Sequence, residues 1–231
     1  MKTNRGFIIG FVAIETLLLY FILFQQFGLP SGVLHYLSIV VAWAFALIHF
    51  KHHPKTRWLR IGLTWTIAAD FFLTLLGTAQ ILGTVLFFLA QISYWIYFRT
   101  QEKNPHQAVL IWMFLTMTSI LVFFAIFSQT FDLLMVIAVI YYMTLWMNWI
   151  TSLTKLRQYF PLSIAFLFYL FCDTLVGLSQ SAPYAMGIVA EINEWVQATH
   201  FNWIWFFYLP SQVLIALSAV KHRELVQEVG E

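Results

Sequence analysis

Eight long apolar runs constrain this chain more than any other feature. They cover 6–26, 33–50, 58–77, 81–99, 108–127, 131–150, 160–179 and 201–220. Each holds about 18–22 residues, enough for a helix to cross roughly 30 Å of hydrocarbon. The runs are uniformly apolar rather than alternating, which excludes the strands of a membrane β-barrel. Within lipid, backbone polar groups must be paired inside the segment, and helices do this. Hydrophobic residues make up 61% of the chain and charged residues 10%, against about 45–50% and about 25% in soluble domains. The expectation is an all-α polytopic membrane protein, one domain over 1–231, with eight transmembrane helices.

The opening stretch "MKTNRGFIIGFVAIETLLLYFILF" has the charged start of a signal peptide. Its apolar part is longer than a signal core and no small-residue cleavage site follows, so it reads as the first membrane helix.

Charge placement tests the count. The chain has 12 Lys and Arg residues. They are Lys2, Arg5, Lys51, Lys55, Arg57, Arg60, Arg99, Lys103, Lys155, Arg157, Lys221 and Arg223. With eight spans, all of them fall on one side, and the other side carries Glu191 and Glu194. The positive-inside rule then puts both termini in the cytoplasm of a cell-membrane protein. The formal charge of +2, carried by topology marks, gives no sign of a nucleic-acid partner.

The connections are short except for 180–200, "QSAPYAMGIVAEINEWVQATH". This loop has room for a short interfacial helix, with Trp195 and nearby Trp203 at headgroup depth. "GTAQ" joins the third and fourth spans, which must therefore run antiparallel.

Two carboxylates stand out inside the apolar runs: Asp70 in "IAADFFLTLLG" and Asp173 in "FLFYLFCDTLVG". Their spans both run outward from the cytoplasm. At about 1.5 Å per residue, each lies roughly 18–20 Å from the cytoplasmic edge. A carboxylate at that depth is costly unless it is paired or protonated. No Lys or Arg lies at that level. If the two face each other, a shared proton is the natural arrangement, and such a pair can serve as general acid and general base.

Other polar groups lie near the same level. Gln91 in "LAQISYW" has Tyr94 one turn away, and Gln212 in "YLPSQVLIAL" has Tyr208 one turn away. Glu15 and Asn148 are further candidates. Polar groups of this kind also act simply as glue between membrane helices, at about 0.6–2 kcal/mol each. Asp132 follows "SQT" at a span start and reads as a helix-end residue. The halves, near 1–127 and 131–220, carry a weak likeness: "AADFFLTLLG" against "FCDTLVGLS", each followed by a span bearing Gln.

Metal hydrolysis fits less well. His52, His53, His106 and His222 fall on the cytoplasmic side, His49 at the inner edge, His35 and His200 near the outer edge. No HExxH or similar spacing occurs within a span. Cys172, the one cysteine, rules out an intrachain disulfide. It reads as a small core residue rather than a nucleophile.

These residues together resemble the bacterial YhhN and animal TMEM86 family of membrane lysoplasmalogenases. The family pattern has Asp with Leu three residues on, matched by Asp70 and Leu73. A Gly, a Phe and an Ala-His-x-x-Tyr cluster follow, matched in "GTVLFFLAQISYWIYF" by Gly83, Phe88, Ala90 and Tyr94. A second Asp motif resembles Asp173, and a late Tyr-x-x-x-Gln resembles Tyr208 and Gln212. The position usually held by His is Gln91, which can orient a group but cannot shuttle a proton. Ala69 stands where many members have Gly.

The resemblance implies about eight membrane helices and hydrolysis of the vinyl ether bond of a lysoplasmalogen, releasing an aldehyde and a glycerophospho-alcohol. Such chemistry asks for one carboxylic acid and one carboxylate, with no metal and no cofactor. Asp70 and Asp173 would be catalytic. Gln91, Tyr94, Tyr208, Gln212, Glu15 and Asn148 would contact a lysophospholipid or ether-lipid substrate drawn from the bilayer. Two other functions fit the same polar groups: a proton-coupled transporter, and a lipid-binding member of the fold without activity.

Overall fold

In a computed structural model the chain is all-helical among the residues described, which are 5–24, 31–50, 56–100, 105–126, 132–154, 156–181, 188–199 and 201–229. The helices are α1 (Arg5–Phe24), α2 (Ser31–Phe50), α3 (Arg57–Asp70), α4 (Gln80–Arg99), α5 (Pro105–Ile126), α6 (Leu133–Thr154), α7 (Leu156–Ser181), α8 (Ile188–Ala198) and α9 (Trp203–Val229). The eight apolar runs fall on α1 to α7 and α9.

Four of these, Arg5–Phe24, Gln80–Arg99, Leu133–Thr154 and Leu156–Gln180, are long and apolar enough to cross a membrane. Shorter apolar stretches occupy Gly32–Ile48, Val109–Ala125 and Trp203–Ser218. Large apolar side chains on α1 and α5 point outward, among them Ile9, Ile14, Leu17, Leu110, Phe114 and Leu121. A protein in water would hide such surface, whereas lipid solvates it. Lys2, Lys51, Lys55, Lys103 and Lys155, used above for orientation, lie outside the described residues, as do His52, His53 and His200.

Six helices close into a ring, each packed on the next: α2, α3, α4, α6, α7, α9 and back to α2. Outside it, α1 packs on α2 and α9, and α5 packs on α6. The buried core fills the ring. Between helices in lipid there is no hydrophobic drive, so close packing and polar contacts hold them. Small residues therefore line the α3–α4 seam. A Cβ on Gly62 would meet the Tyr94 ring at 2.3 Å, and one on Gly83 would meet Leu73 at 2.3 Å.

Aromatic side chains of α4 and α7 pack together in the core. Tyr94 and Phe166 lie 5.6 Å apart, Phe98 and Phe166 5.8 Å, Phe98 and Tyr159 5.1 Å. Edge-to-face pairs of this sort each add about 0.5–1.5 kcal/mol beyond their area.

The third expected span, 58–77, is not one regular helix. It stays α-helical to Asp70, then widens into a π turn over Phe71–Leu75. The Leu76 amide donates to the Phe71 carbonyl at 3.0 Å, and the Thr78 amide to Phe72 at 3.0 Å. Tertiary packing accounts for the change. Gly32 of α2 sits so close to the Thr74 carbonyl that a Cβ there would meet it at 2.5 Å, while Leu73 fills the space over Gly83. Gly77 and Ala79, with φ of +62° and +54°, then turn the chain into α4. Single π turns of this kind often mark functional sites.

Span seven starts earlier than expected. α7 begins at Leu156 but is interrupted at Tyr159, with φ −108° and ψ 20°. Pro161 follows two residues on and has no N–H to return to the preceding turn. The loop 180–200 contains α8, and Trp195 stacks on Trp203 at 5.8 Å. Asp132 caps α6, accepting the Met135 amide at 2.8 Å.

Candidate functional site

Both aspartates are held by tyrosines. The Tyr208 hydroxyl donates to Asp70 Oδ2 at 2.5 Å, and Thr74 Oγ1 donates to Asp70 Oδ1 at 3.1 Å. Thr74 lies four positions after Asp70, so the helix path itself sets it beside the carboxylate. Asp70 is 2% exposed. On the neighbouring side, the Tyr141 hydroxyl donates to Asp173 Oδ2. Asp173 is only half-buried, and Phe171 and Thr174 beside it are exposed. Among the described residues no hydrogen bond joins the two carboxylates; each is held instead by its own tyrosine.

An aromatic cluster fills the space between the pairs. The Phe87 ring lies 6.1 Å from Tyr141, 6.4 Å from Tyr169 and 6.3 Å from Tyr208. Tyr169 lies 5.5 Å from Tyr208. Tyr169 is one turn before Asp173, and Tyr208 one turn before Gln212, so both face the interior with those residues. Pro210 inside α9 cannot donate to the Phe206 carbonyl and loosens the turn that carries Tyr208.

One turn beyond Phe87, Gln91 meets Asn148. Asn148 Nδ2 donates to both the Gln91 carbonyl and Gln91 Oε1, each at 2.9 Å. Gln212 donates to its neighbour Ser211 at 3.2 Å. Tyr94 lies against Thr66 at 3.4 Å, one turn before Asp70. Tyr94 therefore supports the carboxylate helix rather than touching Asp70 by a hydrogen bond.

Glu15 stands apart. It is buried, at 3% exposure, on α1 outside the ring, and among the described residues neither oxygen has a hydrogen-bond partner. His35 stacks on Trp205 at 4.1 Å. Cys172 is a free, buried thiol. Among the described residues, no three His, Cys, Asp or Glu side chains gather to hold a metal ion.

Sequence reasoning passed over Tyr141, Tyr169, Thr74 and Phe87. Tyr169 had a local signal, its i, i+4 spacing to Asp173. Tyr141 had none, since Tyr142 beside it is an equal candidate and instead meets Thr174 at 2.6 Å.

No curated protein and no solved structure matches the chain. A family pattern does match it, over residues 31–219. That segment contains α2 to α7, α9 as far as residue 219 and both Asp–Tyr pairs, and leaves out Glu15. The chain belongs to the YhhN family.

Proposed function

We propose that this chain is a membrane hydrolase that cleaves the vinyl ether bond of lysoplasmalogen-like lysolipids, with Asp70 and Asp173 as its acid–base pair. All eight long helices cross the cell membrane in this reading, and both termini are cytoplasmic. The observation that supports it most is the presence of two tyrosine-held carboxylates on one aromatic-walled interior.

The roles follow from access. Asp173 is the half-buried member and meets a lipid arriving from the bilayer. It gives its proton to the β-carbon of the vinyl ether, and positive charge develops on the α-carbon and the ether oxygen. Asp70 is enclosed and fixed by Tyr208 and Thr74. It takes a proton from the water that attacks the α-carbon, which forms a hemiacetal. In collapse Asp70 returns that proton to the ether oxygen, and Asp173 accepts the hemiacetal hydroxyl proton. The carbon–oxygen bond breaks, aldehyde and alcohol leave, and both residues regain their starting states. Each transfer is ordinary general acid or general base catalysis, worth about 10²–10⁴-fold.

The test uses purified protein in detergent with a lysoplasmalogen, the matching ester lysolipid and the matching saturated ether. Aldehyde from the vinyl ether alone supports the reading. In D₂O the aldehyde should carry one deuterium on the carbon next to the carbonyl. Turnover of the ester at an equal rate would contradict the mechanism, and absence of turnover from folded protein would contradict the assignment.

A further inference from the structure

Among the described residues, four polar atoms inside the ring have no hydrogen-bond partner: Gln91 Nε2, Asn148 Oδ1, Gln212 Oε1 and the Tyr169 hydroxyl. Their residues are all 0% exposed. A buried polar group left unpaired costs about 1–3 kcal/mol, so four in one interior call for an explanation.

The Gln91–Asn148 pair fixes its own orientation. The Gln91 backbone carbonyl can only accept, so the Asn148 group facing it must be the amide nitrogen. That same nitrogen then faces the Gln91 side chain, which must present its oxygen. What remains is one donor, Gln91 Nε2, and one acceptor, Asn148 Oδ1. Neither amide can be turned around without breaking a bond already made.

A phosphate or carboxylate only accepts and would leave Asn148 Oδ1 unpaired. An ammonium only donates and would leave Gln91 Nε2 unpaired. A hydroxyl does both. We propose that Gln91 and Asn148 form a subsite for the free glycerol hydroxyl of the lysolipid, which they select over lipids lacking it. The proposal rests on the hydrolase reading above and deepens it. Its position agrees: Gln91 is one helical turn, about 5.4 Å, from Phe87 at the centre of the site. In a lysolipid the free hydroxyl is on the carbon next to the one bearing the vinyl ether oxygen, a similarly short reach.

The test compares a lysoplasmalogen with its 2-deoxy analogue in two measurements on the full chain. One is kcat/KM for aldehyde release. The other is the rise in melting temperature of the detergent-purified protein on adding each lipid, which needs no turnover. The wild type should favour the hydroxyl lipid by roughly tenfold or more in kcat/KM and be stabilised more by it. In Gln91→Leu the ratio should fall to near one and the difference in stabilisation should vanish. Gln91→Met serves as the second variant where Leu does not fold.

A wild type that treats the two lipids alike would overturn the subsite, leaving the amide pair to bind water. So would a preference that survives in a folded Gln91 variant. A binding preference lost in the variant without any turnover would uphold the subsite and count against the hydrolase.

Discussion

Tyr208 on α9 and Asp70 on α3 are hydrogen-bonded at 2.5 Å although 138 positions separate them in sequence. Their helices are not neighbours in the ring, because α2 stands between them. The bond therefore forms inside the ring, across α2, which packs on both helices. Tyr141 and Asp173 repeat the arrangement on the adjacent helices α6 and α7.

Replacing Tyr208 by Phe removes this hydrogen bond and keeps the ring against Tyr169 and Trp205, which lie 5.5 Å and 5.1 Å away. Loss of one hydrogen bond to a charged group is worth about 1.5–3 kcal/mol. Turnover should fall by roughly 10–100-fold with helix content retained by circular dichroism. Tyr94→Phe loses only the 3.4 Å contact with Thr66 and should cost far less. Equal losses from the two would argue against a specific role for Tyr208.

Gly62→Ala places a methyl group against the Tyr94 ring. Overpacking of this kind costs about 1–3 kcal/mol. The melting temperature should drop, and adding Tyr94→Ala should make the Gly62→Ala change much less harmful. A double-mutant cycle reads this coupling directly, and additive effects would contradict the close seam.

The acid–base pair gives kcat/KM a bell-shaped pH dependence. Activity falls on the acid side as the working carboxylate takes up a proton. It falls on the alkaline side as the working acid loses one. The two limbs belong to the pair rather than to either residue. A profile flat across both limbs would count against it.

Topology is checked with single cysteines in a Cys172→Ala background. Thr78→Cys should react with an impermeant maleimide added outside cells. Thr100→Cys, at the far end of α4, should react only after permeabilisation. The background itself should retain turnover, because Cys172 is a buried thiol of the core. A dead Cys172→Ala protein that folds would reopen its role as a nucleophile.

The places of the apolar helices were legible from apolar length, but not the early end of α3, the early start of α7 or the extension of α9 to Val229. The fourth span, expected at 81–99, is Gln80–Arg99. Asp70 and Asp173 stood out because a carboxylate in an apolar run is conspicuous. The π turn after Asp70 was not readable, since nothing in "FFLTL" breaks a helix. It is set by Gly32 on one side and by Leu73 seated over Gly83 on the other. Nor was the Gln91–Asn148 bond readable, because it joins residues 57 positions apart. Tyr141 and Tyr142 are alike in sequence, and only the packing of α6 on α7 decides which one meets Asp173.

The central claim is that the two aspartates act together on a vinyl ether. It is tested most directly by aldehyde release from lysoplasmalogen by wild type, Asp70→Asn and Asp173→Asn, each shown to be folded. The account predicts release by the wild type and a loss of at least about 10²-fold in both variants. Near-wild-type release by either folded variant would contradict it.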